Sequence, residues 1–350
     1  MADLGPEPGT ERKGRVGGLA AFLWHPYVRT AFKIALAVAI LGWFIAQGRL
    51  DLSVFTGERL RLGWIGLSIF LMLAGWAVIA YRFRLILAAL GLPVGYGQAL
   101  QWTMIGEFFS AVLPMSTGGD LVKGLYVVRA CRKGRRSLGV LSVLLDRAMG
   151  LVGLFCFALM VCLLGGQAVS SNPRLSGLTC TLLAVCGLSV LAFAVVILPQ
   201  VEASAFRKRL MASLPLGGKF ETLYAGLLRL RGKPLALAAV MGLSLVSHSL
   251  GCCSLILLSR GLGMNFDILG SMIVIPLGLF ISTFGYAGGL GVGNLGFESL
   301  FVSMLGAAKG VGFTFSLAYQ LLGILLRLGV GLPFYLAATT PPEDAELAEG

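Results

Sequence analysis

The chain has 350 residues, of which 57% are hydrophobic and only 13% are charged, with 28 Lys and Arg against 16 Asp and Glu. A soluble domain cannot expose so apolar a surface without aggregating, and no polar stretch is long enough to bury a core of its own. This composition excludes a soluble enzyme or a nucleic-acid-binding module and predicts an integral membrane protein.

Long apolar windows predict helices that cross the membrane, because the strands of a membrane barrel would alternate over about ten residues instead. In chain order the six predicted spans are 30–47, 63–81, 138–165, 177–198, 235–259 and 311–338. They belong to one transmembrane domain, 30–338, between a basic tail, 1–29, and an acidic tail, 339–350. A cytoplasmic amphipathic loop, 199–234, is expected to lie on anionic headgroups.

Two further apolar stretches are interrupted and are predicted to form re-entrant hairpins, at about 98–128 and about 267–305. The first is broken near Pro114 and the second from Gly285 to Gly296. If each hairpin returns to the face it came from, most of the 28 lysines and arginines fall on one side of the membrane. The positive-inside rule then places both termini in the cytoplasm. The fold class is therefore an all-α polytopic protein in which span, hairpin and span recur as an inverted repeat.

The first hairpin carries the sequence LPMSTGGDLVKG. Pro114 is expected to end a half-helix, Gly118 and Gly119 to make a tight turn, and Asp120 to cap the next half-helix. A helix N-terminus beside Lys123 predicts a cradle for a phosphate group. The alternative is that Asp120 is only a cap and that Lys123 extends its ammonium to the interface.

The span after the first hairpin contains two adjacent charged residues, Asp146 and Arg147, in the motif LLDRAMGL. Charges inside a membrane are costly unless they are paired, so they are candidates for a functional site. We expect Arg147 to face the interior and to meet an anionic headgroup or a carboxylate, either Asp120 or Glu107. The alternative is a structural ion pair near the cytoplasmic interface.

The second hairpin carries the glycine-rich motif AGGLGVGNLGFESLF. Its backbone is expected to be non-helical at the break, where Gly289 and Gly291 approach a substrate closely. Asn294 and Glu298 are four residues apart and are expected to share one face of the next half-helix. Glu298 is also a candidate partner for Arg327 in the last span. The alternative is that the glycines serve helix packing.

Four motifs together, YRFRLILAALG, LPMSTGGDLVKG, LLDRAMGL and AGGLGVGNLGFESLF, resemble the flippase-like membrane domain of lysylphosphatidylglycerol synthases, which also occurs in stand-alone proteins. The similarity extends over about residues 31–338. It implies a protein of the bacterial cytoplasmic (inner) membrane that translocates or handles lipid. No soluble aminoacyl-transfer domain is expected here, so the resemblance argues against lysyl transfer.

The sequence therefore predicts a flippase-like protein that moves an amphipathic lipid between leaflets, with its headgroup between the hairpins. That lipid would be anionic, glycosylated, polyprenyl-linked or of the hopanoid type; the alternative function is a non-transporting partner of a lipid-modifying enzyme or glycosyltransferase. No catalytic residue, metal or cofactor is expected, because no nucleophile and base or metal-ligand spacing is present, and the chain is not expected to be an enzyme. The expected headgroup-binding residues are Asp120, Lys123, Arg147, Gly118, Gly119, Gly289, Gly291, Asn294 and Glu298, with Glu107, Asp146 and Arg327 in supporting ion pairs.

Overall fold

The computed structural model describes residues 60–113, 118–171, 173–197, 233–282 and 291–338, together with 228, 230 and 232. The predicted first span, both tails and most of the amphipathic loop lie outside these residues. Within them every regular element is a helix, so the all-α class is confirmed for this part of the chain.

The helices follow one another with short connections. In chain order they are α1 (Leu62–Ala89), α2 (Tyr96–Val112), α3 (Gly118–Ala130), a 3₁₀ turn (Lys133–Arg135), α4 (Arg136–Leu164), α5 (Gly166–Ser170), α6 (Pro173–Ile197), α7 (Pro234–Gly261), α8 (Ile268–Ser282), α9 (Val292–Leu305) and α10 (Val311–Leu336). Among the described residues, α1, α4, α7 and α10 are long and apolar enough to cross a membrane. They correspond to four of the predicted spans.

Two elements differ from their predicted bounds. α6 is helical at the predicted span 177–198, but its described apolar stretch, Thr179–Ser189, is shorter than a span. α1 was predicted to end at Tyr81, before two arginines, and instead continues to Ala89. The extension is possible because Arg82 is neutralised inside the protein and not solvated in a loop.

The interrupted stretch near the C-terminus is a pair of antiparallel helices, α8 and α9. A Cβ atom on Gly293, at the start of α9, would touch Ser282, at the end of α8. At the other end of the pair, a Cβ atom on Gly270 would touch Leu305. The helices α2 and α3 also pack against each other. The backbone of Leu113, directly after α2, is extended, so the helix ends there.

The helices α1 and α7 pack against each other in opposite directions along most of their length. The hydroxyl groups of Ser68 and Ser254 are 3.1 Å apart, and Ser254 Oγ also lies 2.9 Å from the Ser68 carbonyl oxygen, to which it donates. Nearby, a Cβ atom on Gly75 would be 3.8 Å from the backbone oxygen of Ser247. Small side chains at such an interface allow two backbones to approach closely.

The packing of α1 to α4 is repeated by α7 to α10. The hairpin α2–α3 contacts α10, and the hairpin α8–α9 contacts α4. Each hairpin also packs on the helices before and after it in its own half. These pairings of the hairpins are unchanged when the two halves are exchanged, and α1 is antiparallel to α7.

Candidate functional site

A cavity of about 280 Å³ lies among α1, α2, α3, α4 and α7, with Leu279 of α8 at its edge. Its polar lining consists of Arg82, Thr103, Glu107, Ser110, Asp120, Lys123, Asp146, Arg147, Ser247 and His248. Charged side chains among helices of membrane-spanning length are costly and mark a functional site. The first hairpin and its neighbours therefore form the candidate site.

The deepest part of the site is an ion triad in which one carboxylate, Asp146, binds two cations. Arg82 Nε and Nη2 donate to Asp146 Oδ1 at 3.0 and 2.8 Å, and Lys123 Nζ donates to Asp146 Oδ2 at 2.8 Å. The three side chains are between 5% and 9% exposed. The triad joins α1, α3 and α4, so the charges expected on separate segments act as one unit.

Two further contacts hold the cations of the triad in place. Arg82 Nη1 donates to the hydroxyl of Ser244 on α7 at 3.0 Å, and Arg82 Nη2 donates to the Asp146 carbonyl oxygen at 3.2 Å. Lys123 Nζ lies 3.5 Å from the centre of the Phe83 ring, as in a cation–π interaction. The alternative that Lys123 extends its ammonium to the interface is wrong, because its side chain is buried; it lines the cavity, and its expected headgroup contact stays a prediction.

A second ion pair joins Arg147 to Asp120 across the cavity. Arg147 Nη1 is 3.2 Å from Asp120 Oδ2, and the two side chains are 40% and 33% exposed. The predicted carboxylate partner of Arg147 is therefore confirmed as Asp120. Asp120 lies in the first turn of α3, where a carboxylate is favoured by the helix dipole.

A third ion pair joins the first hairpin to the last helix. Arg327 Nε donates to Glu107 Oε2 at 2.8 Å, which connects α10 to α2. The predicted pairing of Arg327 with Glu298 is wrong, because Glu298 caps the N-terminus of α10. Its two carboxylate oxygens accept from the backbone N–H groups of Gly310 and Phe313 at 2.6 and 3.0 Å. Such a cap satisfies donors that a helix start leaves unpaired.

Among the described residues of the second hairpin, the polar side chains Asn294 and Glu298 do not line the cavity. Asn294 is buried, accepts from the Gly291 N–H at 2.9 Å and donates to Ser316 and Gln320 at 2.8 and 3.1 Å. Asn294 and Glu298 thus make contacts between α9 and α10, and their expected headgroup role stays a prediction. Gly291 has φ +87, a conformation that favours glycine, and Gly289 lies outside the described residues.

The glycines of the first hairpin serve close helix packing. A Cβ atom on Gly119 would clash with the Gly106 carbonyl oxygen and the Ser110 hydroxyl, and one on Gly118 would lie 2.7 Å from Leu113 Cβ. Only glycine lets α3 approach α2 this closely. These glycines were expected to approach the substrate; here they set the position of Asp120 and Lys123 at the start of α3.

Sequence reasoning missed one charged residue of the site, Arg82, whereas the sequence predicts that Ser244, Ser247 and His248 form a polar stripe with an interhelical hydrogen bond. Arg82 was taken for a loop charge, although a deep Asp146 requires a cation at similar depth. His248 Nε2 is 2.8 Å from the Gly150 carbonyl oxygen, an interhelical hydrogen bond between α7 and α4. Because Ser247 and His248 of α7 line the cavity, this helix completes the cavity wall.

The sequence profile of the family described as "Lysylphosphatidylglycerol synthase TM region" matches residues 30–331. A search among curated proteins and one among solved structures each returned no significant match. The profile covers most of the 350 residues, including every helix of the cavity. The chain therefore belongs to the lysylphosphatidylglycerol synthase TM region family.

Proposed function

We propose that this protein binds the polar headgroup of an amphipathic membrane lipid in the cavity and carries it between the leaflets of the bacterial cytoplasmic membrane. The observation that carries the proposal is a polar cavity among three helices of spanning length, α1, α4 and α7, and the hairpin α2–α3, with the ion triad and the Arg147–Asp120 pair at its wall. The membership in a lipid-related membrane family supports the same conclusion.

The size of the cavity fits a headgroup better than a whole lipid. A volume of about 280 Å³ is at the lower end of the roughly 300–1,000 Å³ of small-molecule pockets. The acyl chains would stay in the bilayer, against apolar side chains on the outside of the same helices. Leu121 and Leu125 of α3 and Leu144 of α4 are exposed in this way, while Lys123 points inward.

The short helices of the hairpins support a re-entrant course. α2, α3, α8 and α9 have 17, 13, 15 and 14 residues, so they extend about 20–26 Å at ~1.5 Å per residue. A hydrocarbon core of about 30 Å is longer than any of them. With the matching packing of the two halves, two such hairpins would open the cavity to one face and then to the other.

The same proposal includes the orientation and the absence of chemistry on the lipid. Both termini would be cytoplasmic, as the positive-inside rule predicts from the arginines and lysines. The chain would move its lipid without a catalytic step of its own. A lipid-binding partner of a lipid-modifying enzyme is the alternative, and it differs in that the bound lipid would not change leaflets.

The experiment is leaflet exchange of fluorescent lipids in proteoliposomes, measured by quenching from outside. The full chain is compared with Arg147→Gln, which removes a half-exposed cation from the cavity, and with the control Lys309→Gln, whose side chain is exposed outside the cavity. We expect lipids to exchange between leaflets faster with the native chain and with the control than in vesicles without protein. Arg147→Gln, inserted to the same level, should lose this acceleration. If the protein binds the fluorescent lipids but none of them exchanges between leaflets, translocation is refuted and the alternative, a lipid-binding partner of a lipid-modifying enzyme, is favoured.

A further inference from the structure

The ion pairs of the cavity do not balance in charge. The four cations Arg82, Lys123, Arg147 and Arg327 meet only three carboxylates, Glu107, Asp120 and Asp146. Within the described residues, the cluster therefore carries one positive charge in excess. The two hairpin breaks, 114–117 and 283–290, contain no Asp, Glu, Lys or Arg that would change this balance.

The excess charge belongs to the triad, where two cations share one carboxylate, and the donors that can meet an anion are on Lys123 and on the neighbouring Arg147 and not on Arg82. Hydrogen bonds to Asp146 and Ser244 occupy all three guanidinium nitrogens of Arg82. Lys123 has three N–H donors, of which one binds Asp146, and Arg147 contacts Asp120 through a single nitrogen. Both side chains line the cavity. They are thus the groups that can donate to an incoming anion without losing their present partners.

The other two ion pairs add selectivity to this positive centre. The carboxylates of Glu107 and Asp120 also line the cavity. A second negative charge on a ligand would be repelled by them, whereas one negative charge would neutralise the excess of the cluster. The site therefore suits an anion that has several acceptor oxygens but only one negative charge. In lipid headgroups, the phosphodiester is such an anion.

We propose that the cavity selects lipids with a single net negative charge, held by the phosphodiester oxygens at Lys123 and Arg147, with Arg82 as a positioning residue. This inference rests on the proposed function and specifies its substrate class. Neutral glycolipids lack the anion, and zwitterionic lipids bring a second cation to an already positive site.

The test measures binding and leaflet exchange of three fluorescent lipids on the same preparation of the full chain. The lipids are phosphatidylglycerol, phosphatidylcholine and a glucosyl diacylglycerol. We expect phosphatidylglycerol to bind at least about tenfold more tightly than the other two. Lys123→Met and Arg147→Gln should each remove most of that preference, while Lys309→Met should keep it. Lys123→Met retains the apolar stem over Phe83 and the Arg82–Asp146 pair, and Lys123→Arg, which restores the charge, should recover part of the preference.

The outcomes separate this inference from the proposed function. Equal binding of all three lipids, or a preference unchanged in both Lys123→Met and Arg147→Gln, would overturn the charge selectivity even if exchange is rapid. Selective binding of phosphatidylglycerol without exchange would keep the selectivity and refute translocation. Full displacement of the lipid by millimolar inorganic phosphate would assign the site to soluble anions and would overturn the lipid assignment.

Discussion

Replacing Asp146 with Asn should be among the most damaging single changes to this fold. The substitution removes the only carboxylate that contacts Arg82 and Lys123 in the described part of the chain, and leaves two buried cations side by side. Breaking a buried ion pair by removing one partner costs about 3–5 kcal/mol, because the remaining charge is desolvated without compensation. We expect a loss in the free energy of unfolding of this size.

The assay is unfolding by denaturant in mixed micelles, followed by tryptophan fluorescence, since Trp76 and Trp102 are buried in the native state. The matched control replaces the whole triad, with Arg82→Met, Lys123→Met and Asp146→Leu in one chain. No charge is then desolvated, and apolar replacement of a buried ionic group is often neutral or stabilising.

The two variants together test whether the triad is a desolvated ionic unit. We expect the triple variant to be more stable than Asp146→Asn by at least about 2 kcal/mol, although it has lost more polar contacts. If Asp146→Asn unfolds within about 1 kcal/mol of the native chain, or if the triple variant is the less stable of the two, the triad is not a desolvated ionic unit.

Two further predictions concern packing and capping, and both are checked by the same unfolding assay. Gly119→Ala should cost about 1–3 kcal/mol, because its methyl group would overlap backbone and hydroxyl atoms of α2. Gly97→Ala, in the same hairpin but with open space around it, should be neutral or slightly stabilising; equal losses at both sites would exclude a steric cause. Glu298→Ala should cost roughly 2–3 kcal/mol by leaving two N–H groups of α10 uncapped, and Glu298→Gln about half as much; unchanged stability in Glu298→Ala would contradict the capping role.

The helices could be predicted from the sequence because a bilayer requires long apolar segments, and α1, α4, α7 and α10 have them. The breaks at the two hairpins were equally visible, since proline and clustered glycines end a helix. The end of α1 was not, because a charged residue near the end of an apolar run is read as its boundary. Only the position of Asp146 in space shows that Arg82 belongs inside.

The sequence allowed the pairing of Arg147 with Asp120 to be predicted, but not the partner of Glu298. Arg147 and Asp120 lie on segments close in sequence, so a depth argument sufficed to pair them. The partner of Glu298 depended on how α9 meets the start of α10, which no pattern in the sequence specifies. Two carboxylates with similar surroundings in sequence, Glu107 and Glu298, thus took opposite roles, one in an ion pair and the other in a cap.

The partners of Arg82 are made long after Arg82 itself. During synthesis α1 leaves the ribosome before α4 and α7, and Asp146 follows Arg82 by 64 residues and Ser244 by 162. Until those residues arrive, the guanidinium has neither its carboxylate nor its hydroxyl, and a lone charge at that depth resists insertion. We therefore expect α1 to take its final depth only when α4 is in place, and the first half of the molecule to complete its packing only after Ser244 of α7 has been made.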